Sequence, residues 1–367
     1  MIMRPTSVRT RILLLTIVPI LCLLGLYSYA ATVTLGDALS LARSSMVKNA
    51  TGKPTGAFMT QLEAERLLAV VYLANPAGTN LASLRAQEAK TAAATVSLRT
   101  ALTSGAAVTN ASPVEKQAIA VLLAGADRLP ALRKAVAARA ISRRSAFARY
   151  NLLVQHTDEM LDATIRQQGD ADVVSQALAF VRMGQSGDLL GQESALLSAD
   201  LSSGRFTAAD LQQFTELVGA RRFLYSQTLA DLDPQYRAYY AQDVSRQALS
   251  SLAGQENTVI RWARPGRPLP VQPQAWQQAV NTVSAGLSTA DTQAATVLTR
   301  QANAQASATY LTLVLAVGIG LFAVLLSIFV SMWLGRRQVG ELARFRNMSL
   351  IPWRSCACPT AAATAVC

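Results

Sequence analysis

Two long apolar runs enclose a region in which hydrophobic residues recur at helical spacing. The second run, Tyr310–Leu334, contains no charged residue, and none occurs between Arg300 and Arg336. Because an α-helix rises about 1.5 Å per residue, a run of this length extends about 37 Å, enough to cross a hydrocarbon layer of about 30 Å. The pattern therefore predicts a transmembrane helix over 309–334.

The first run, Ile12–Gly36, is also uncharged and follows Arg9 and Arg11. A cleavable signal peptide is one interpretation, because Ser28-Tyr29-Ala30 has the small-x-small form of a cleavage site. The apolar part is longer than that of an ordinary signal peptide, which favours an uncleaved transmembrane helix over 12–33.

Between these runs, the sequence of residues 34–308 predicts helices separated by helix-breaking residues. It lacks the alternation of apolar and polar residues that is typical of strands. Ser112-Pro113-Val114-Glu115 has the form of a helix start, with an N-cap serine, proline in the first turn and glutamate three residues after the cap. Helix breaks are predicted at Thr51–Gly56, Asn75–Gly78, Thr103–Ala111, near Pro130, at Gln168–Asp170, Gly204–Thr207, Asp233–Pro234 and Arg264–Pro270.

The predicted fold class is all-α, an extracytoplasmic helical bundle between two transmembrane helices. Glu65-Arg66-Leu67-Leu68 is echoed by Glu193-Ser194-Ala195-Leu196-Leu197 in the second half of the region. Helix-rich sequences give such matches by chance, so a duplication into two four-helix units stays open beside an unduplicated bundle.

The net charge of +12 changes meaning once it is divided by region. Residues 1–11 contain three arginines and no acid, and 336–367 contain five arginines and one glutamate, whereas 32–308 hold 26 basic and 21 acidic residues. Basic residues flanking both apolar runs indicate cytoplasmic termini and an extracytoplasmic middle at a cell membrane. A nucleic-acid partner is disfavoured, and membrane lipid is the expected environment of the two runs.

No catalytic, metal or cofactor motif is visible. His156 is the single histidine, and the four cysteines lie within the first apolar run or the last twelve residues. One histidine cannot form a zinc site or a catalytic triad without further partners. His156 is interpreted as a helix-surface residue, and no cofactor is predicted.

Arg66 is the first candidate for binding. It falls in the middle of the helical face formed by Met59, Leu62, Ala69, Val70 and Leu73, where a charge is costly unless it is paired. One interpretation is an ion pair with a carboxylate on another helix, or a side chain that reaches water. The other is an anion site, since guanidinium offers a planar fork of donors to a small oxyanion.

Arg221 and Arg222 form the second candidate. Arg221 shares a face with Phe214, Val218 and Tyr225, whereas Arg222 points about 100° away. Periodicity therefore predicts that Arg221 points inward. A solvated pair of charges is the alternative to an anion site at these two positions.

The order of an anchor, a helical ectodomain, a second anchor and Gly335–Asn347 resembles actinobacterial transmembrane sensor histidine kinases with a nitrate- and nitrite-sensing (NIT) domain. The resemblance lies in Gln61–Arg66 with Tyr72-Leu73, in Gln192–Phe206, and in Val218–Tyr225. It implies an arginine-lined pocket for nitrate or nitrite, formed by Arg66, Arg221 and Arg222. It also implies a homodimer and, in the full-length relatives, an ATP-dependent protein-histidine kinase.

Two departures from the family pattern stand out. Ser194 occupies the place where similar domains often have a second arginine after glutamate, which leaves the ligand's identity open. After Asn347 the expected kinase core is absent, and 348–367 contain three of the four cysteines. A frameshift or truncation is one hypothesis, and a genuine short tail is the other.

These patterns together predict a membrane-bound receptor that detects a small oxyanion and transmits a signal across the membrane. The expected segments are a cytoplasmic N-terminus (1–11), a transmembrane helix (12–33), the sensing domain (34–308), a second transmembrane helix (309–334), the start of a signalling linker (335–347) and an aberrant tail (348–367). A binding module for another small ligand or a peptide, and a non-catalytic interaction protein, are the alternatives.

Overall fold

The computed structural model describes residues 51–77, 81–167 and 171–348 together with positions 25 and 28, and for 106, 107, 110 and part of 302–348 it describes the backbone alone. Every regular element within these ranges is an α-helix, which confirms the all-α prediction. Several predictions fall outside the described residues: the segment 1–11, the segment 12–33 apart from positions 25 and 28, the break at 168–170 and the tail after Met348.

The helices follow one another with short connections. Their bounds are α1 (51–74), α2 (Leu81–Leu102), α3 (Gly105–Asn110), α4 (Pro113–Ala126), α5 (Leu129–Ala137), α6 (Arg143–Ile165), α7 (Ala171–Ser203), α8 (Ala208–Asp231), α9 (Pro234–Asp243), α10 (Arg246–Trp262) and α11 (Pro273–Met348).

Most predicted breaks fall between helices. At the start of α4, the Glu115 amide donates to the Ser112 hydroxyl at 3.2 Å, and the Ser112 amide donates to the Glu115 carboxylate at 3.1 Å. This reciprocal pair satisfies two of the amide groups that a helix start leaves without partners. The helix start predicted at Ser112 is confirmed.

Two predicted breaks are wrong. Thr51–Gly56 is part of α1: the backbone stays helical through Pro54, and the Thr55 hydroxyl donates to the Thr51 carbonyl oxygen one turn earlier at 2.8 Å. Thr103–Ala111 includes the short helix α3. Its alanines have the highest helix propensity, which outweighs the small-residue composition that suggested a loop.

Two hydrophobic cores divide the described helices between residues 51 and 309. The first is formed by α1, α2, α4, α5 and α6, and includes Phe58, Leu84, Leu122, Leu132 and Tyr150. The second is formed by α7 to α11, and includes Leu197, Phe214, Tyr236, Leu252 and Trp276. Within the described residues five helices line each core, one more than the four per unit that the sequence suggested.

The two cores meet through a small third cluster. Val70 of α1, Phe147 of α6, and Ala195 and Ala199 of α7 are buried against one another. The small alanine side chains allow α7 to approach α1 and α6 closely. Helix α7 therefore contributes one face to the second core and another to the contact with the first helices, and this position matters for the site below.

Residues Gly36–Thr309 form one compact unit, and the remaining residues, of which positions 25 and 28 and 310–348 are described, form a second. Helix α11 contributes its residues 273–309 to the first unit. Counting only residues that the structure describes, no helix is both long and apolar enough to cross a membrane. The two predicted membrane helices stay predictions.

Candidate functional site: buried arginines on both sides of α7

Arg66 is completely buried, on the face of α1 that the hydrophobic pattern identified. Its Nη1 atom lies 2.7 Å from Asp188 Oδ1 and donates to Asn151 Oδ1 at 2.9 Å. The Asp188 contact is close in distance, although its angle does not make a hydrogen bond, so its contribution is electrostatic. The interpretation as an ion pair with a neighbouring helix therefore holds for the Nη1 end of the guanidinium.

The other edge of this guanidinium is nearly bare. Nε, although buried, has no hydrogen-bond partner, and Nη2 has only a long contact of 3.5 Å to the Asp188 carbonyl oxygen. A Cβ atom added at Gly191 would lie 2.8 Å from Nη2. Glycine at this position of α7 is thus what gives the guanidinium its space.

A polar shell holds the paired end in place. Asn151 Nδ2 donates to Gln192 Oε1 at 2.9 Å, and Gln192 Nε2 donates to Asp188 Oδ2 at 2.7 Å. Each amide thus links two members of the group, which fixes the orientation of both the aspartate and the arginine. Helices α1, α6 and α7 each supply part of this network.

Carboxylates outnumber arginines around Arg66. Burial and, to a smaller extent, the Asp188 charge raise the pKa of Glu63 to about 7, against the opposing effect of Arg66. Burial likewise raises the pKa of Asp158 to about 7, again with a contribution from Asp188. Near neutral pH both groups are therefore partly protonated, and the charge of this region responds to small changes in pH.

The second predicted pair lies on the other side of α7. Arg221 is buried and donates from Nε to Glu193 Oε1 at 2.8 Å and from Nη2 to Glu256 Oε1. The side chain of Arg222 is 40% exposed, and its Nε donates to Glu256 Oε2 at 2.9 Å. The prediction that Arg221 and not Arg222 points inward is confirmed.

Glu193 is the unusual member of this group. Burial raises its pKa to about 8, Arg221 opposes the rise, and Glu256 adds to it. Its Oε2 atom is buried without a hydrogen-bond partner. Near pH 7 the neutral form of Glu193 is therefore favoured, and Glu256 is the carboxyl group that Arg221 and Arg222 both contact.

Arg66 and Arg221 do not form a common pocket in this structure. Arg66 contacts α7 at Asp188 and Gly191, whereas Arg221 contacts it at Glu193. Positions 191 and 193 point about 160° apart on a helix. The structure therefore brings Arg221 and Arg222 together through Glu256 and keeps Arg66 on another face.

A third buried group was not predicted from the sequence. The Glu65 carboxylate is fully buried and accepts from Arg133 Nε at 2.9 Å, Arg133 Nη2 at 2.8 Å and the Tyr150 hydroxyl at 2.9 Å. The two-point contact with Arg133 is the geometry that best compensates a buried carboxylate. Glu65 and Glu193 thus have the same role at the echoed positions, each as a buried acceptor for an arginine from another helix.

A fourth ion group joins helices of the two cores. Arg143, at the start of α6, pairs with Asp200 of α7 and, at 2.7 Å, with Asp210 of α8. Burial raises the pKa of Asp200 to about 7 against the effect of Arg143. No local pattern in the sequence could have shown this group, because its members are separated by 57 and 67 positions.

The described helices and these ion groups define an all-helical domain that holds arginine side chains buried between its helices. The sequence model described as nitrate and nitrite sensing matches residues 57–299, and the chain belongs to this family. A solved structure, of the NasR transcription antiterminator, has a similar fold, with a TM-score of 0.63 and 20% identity over 89% of each chain. No curated protein matches the sequence.

Proposed function

We propose that the chain is a membrane-anchored sensor whose helical domain binds nitrate or nitrite at the bare edge of Arg66. Membership of the nitrate- and nitrite-sensing family supports the ligand class. The observation that carries the position is the buried Nε of Arg66, a charged donor without an acceptor. An unsatisfied buried donor is costly, and a small acceptor placed there would relieve that cost.

The chemistry of guanidinium suits this assignment. Nε–H and Nη2–H point in parallel, so two oxygens of a planar oxyanion can accept one proton each. Nη1, on the other edge, would keep its contacts with Asp188 and Asn151. The anion therefore need not displace the aspartate, although it must enter beside Gly191.

The closed surroundings of Arg66 supply a way to produce a signal. Because the side chain has no exposed surface, α1 and α7 must separate slightly to admit an anion. A ligand shifts such an equilibrium only by its difference in affinity for the two states. The opened arrangement would be the state that nitrate or nitrite selects.

Arg221 and Arg222 would form a second place for an anion. When Glu193 is protonated, the two arginines share a single remaining carboxyl group, that of Glu256, so their two positive charges are not both matched. Arg221 is buried, which strengthens its attraction for an anion over that of an exposed arginine. As a candidate anion site this position ranks below Arg66, because each nitrogen of Arg221 and Arg222 with a described contact already donates to an acceptor.

The experiment for the ligand is thermal unfolding of the full-length chain with nitrate, nitrite and chloride. A specific ligand at a hundredfold excess over its dissociation constant raises the free energy of unfolding by about 2.7 kcal/mol. Arg66→Lys keeps the charge but removes the planar fork, so we expect it to abolish the increase. Arg166→Ala, which removes an exposed pair within α6, is the matched control.

Equal shifts with chloride and nitrate would contradict a site for a planar oxyanion. An unchanged nitrate effect in Arg66→Lys would contradict the assignment to Arg66 and turn attention to Arg221 and Arg222. A lost effect in Arg166→Ala would show that the assay reports general stability.

We further propose that the chain is the receptor portion of a two-component sensor histidine kinase at the cell membrane, acting as a homodimer. Residues 34–308 would be extracytoplasmic and both termini cytoplasmic. Exposed apolar side chains along α11 support the membrane assignment, since lipid would cover them: Leu311, Ile319, Phe322, Phe329 and Trp333 are each more than half exposed. The similar fold of the antiterminator does not indicate what output this chain has. The proposal of a kinase output therefore rests on the order of the segments.

Cysteine labelling in intact cells tests the topology. We expect Ser250→Cys, at an exposed position of α10, to react with an impermeant maleimide without permeabilisation. The native Cys356, Cys358 and Cys367 would react only after permeabilisation and serve as the internal control. The reverse order of labelling would contradict the proposed orientation.

A further inference from the structure

A cavity of about 390 Å³ lies at the surface of the first group of helices, and its lining includes none of the arginines described above. It is formed by the end of α4, the start of α5 and the middle of α6. Its lining consists of Gly125, Arg128, Leu129, Leu132, Arg149, Leu152, Leu153 and His156. The volume is within the range of small-molecule sites and far larger than one nitrate ion requires.

The floor of this cavity is apolar. Leu129, Leu132 and Leu153 are each no more than 5% exposed, and Leu152 on the rim is 47% exposed. Gly125 brings α4 close to α6 here, since an added Cβ would lie 2.8 Å from Leu153 Cδ1. An apolar group placed on this floor would lose contact with water, which favours binding.

The walls are cationic. Arg128 and Arg149 are exposed and, among the described residues, have no hydrogen bond or ion pair from their side chains. Two acidic residues near this lining have other partners: the Glu159 carboxylate lies 3.3 Å from His156 Nδ1 on the rim, and Asp127, next to Arg128 in the chain, pairs with Arg99. Two unpaired guanidinium groups beside an apolar floor suit a ligand that is anionic at one end and apolar at the other.

We propose that this cavity binds a small organic carboxylate with an apolar body. The carboxylate would accept from Arg128 and Arg149, and the apolar body would cover the three buried leucines. Nitrate does not fit this description, because it offers nothing to the leucine floor. The proposal is therefore independent of the nitrate assignment.

The two sites can be separated because α6 presents them with different residues. Asn151 contacts Arg66, whereas Arg149 and Leu153 line the cavity. Neither cavity arginine takes part in the network around Arg66. Replacing them should leave the response to nitrate unchanged, so failure of one proposal can be distinguished from failure of the other.

The test is calorimetric titration of the chain with benzoate. Benzamide, which has the apolar ring without the charge, and inorganic phosphate, which has the charge without an apolar body, are titrated for comparison. We expect benzoate to bind and the other two to bind at least tenfold more weakly, because benzamide lacks the negative charge that the two arginines attract and phosphate lacks an apolar body to cover the leucines. Arg128→Ala and Arg149→Ala should each weaken benzoate about tenfold or more. Arg144→Ala, which removes an exposed arginine of α6 outside the cavity, is the control.

The floor is tested separately with Gly125→Ala. The added methyl group would push Leu153 into the cavity and should weaken benzoate at least severalfold. Benzamide or phosphate binding as tightly as benzoate would overturn the proposal, as would unchanged affinity in the double variant Arg128→Ala/Arg149→Ala. Absence of benzoate binding at millimolar concentration would overturn it as well.

Discussion

Two glycines of α7, one helical turn apart, allow the space beside Arg66 to be measured. A Cβ at Gly187 would meet no atom within 4 Å, whereas a Cβ at Gly191 would lie 2.8 Å from Arg66 Nη2. Both positions are inside the same helix, where replacing glycine by alanine stabilises the helix by about 1 kcal/mol. The two alanine substitutions therefore differ mainly in what they do to the guanidinium.

The size of that difference follows from the contacts. To reach the ordinary contact distance of 3.4 Å, Nη2 must move by about 0.6 Å. Such a movement would lengthen the 2.7 Å contact between Nη1 and Asp188, in surroundings where loss of a buried pair costs about 3–5 kcal/mol. With partial loss of the pair, we expect Gly191→Ala to be less stable than the natural chain by about 1–2 kcal/mol, and Gly187→Ala to be more stable by about 1 kcal/mol.

Chemical denaturation followed by circular dichroism at 222 nm measures both free energies of unfolding. The same two proteins then serve for the nitrate titration. The added methyl group of Gly191→Ala occupies the entry to the Nε and Nη2 edge, so we expect it to remove the stabilisation by nitrate. Gly187→Ala should keep that stabilisation in full.

Equal stabilisation by the two substitutions would refute the reasoning, because it would mean that the Arg66 side chain moves aside without cost. A destabilised Gly191→Ala that still responds to nitrate would retain the packing argument but contradict the entry beside Gly191.

Three further outcomes are expected. Glu65→Gln should lower the free energy of unfolding by about 3 kcal/mol, because the Arg133 guanidinium would lose the buried negative charge with which it is paired. Denaturant titration measures this change. Glu115→Ala should cost about 1 kcal/mol through loss of the reciprocal cap of α4, measured in the same way. Burial raises the pKa of Glu63 and Asp158 to about 7, so the folded chain holds protons that the unfolded chain releases. Each of the two groups should therefore lower stability by roughly 2–3 kcal/mol as pH rises from about 4.5 to 7, and a flat profile over this range would contradict the reasoning.

Local signals in the sequence predicted the helices well. The capping residues at Ser112, the prolines that follow helix ends and the linker at 264–270 act over a few residues, so their effect is visible without the fold. The errors at Thr51–Gly56 and Thr103–Ala111 arose where glycine and proline, or a run of small residues, were compatible with a helix. Such positions are ambiguous because the same residues favour turns and helix starts.

The inward arginines were also predictable, but their partners were not. A charge in the centre of an apolar face identifies Arg66 and Arg221 from spacing alone. Asp188 lies 122 positions from Arg66, and Glu256 lies 35 positions from Arg221, so which carboxylate meets which arginine depends on how the helices pack. For the same reason the Glu65–Arg133 pair could not be predicted from local patterns.

An excess of carboxylates around a buried arginine does not argue against an anion ligand. Glu63 and Asp158 can take up protons near pH 7, so the negative charge that an entering nitrate meets at Arg66 is smaller than a count of acidic residues suggests. Asp188 contacts the guanidinium at its Nη1 end alone. This contact prevents the guanidinium from turning towards another acceptor. The pair thus orients the arginine and leaves the Nε and Nη2 edge without an acceptor. Without Asp188, the side chain would be free to turn that edge towards other acceptors. On this argument Asp188→Asn, which keeps the shape but removes the charge, should weaken nitrate binding by misdirecting Arg66 rather than strengthen it by lowering repulsion.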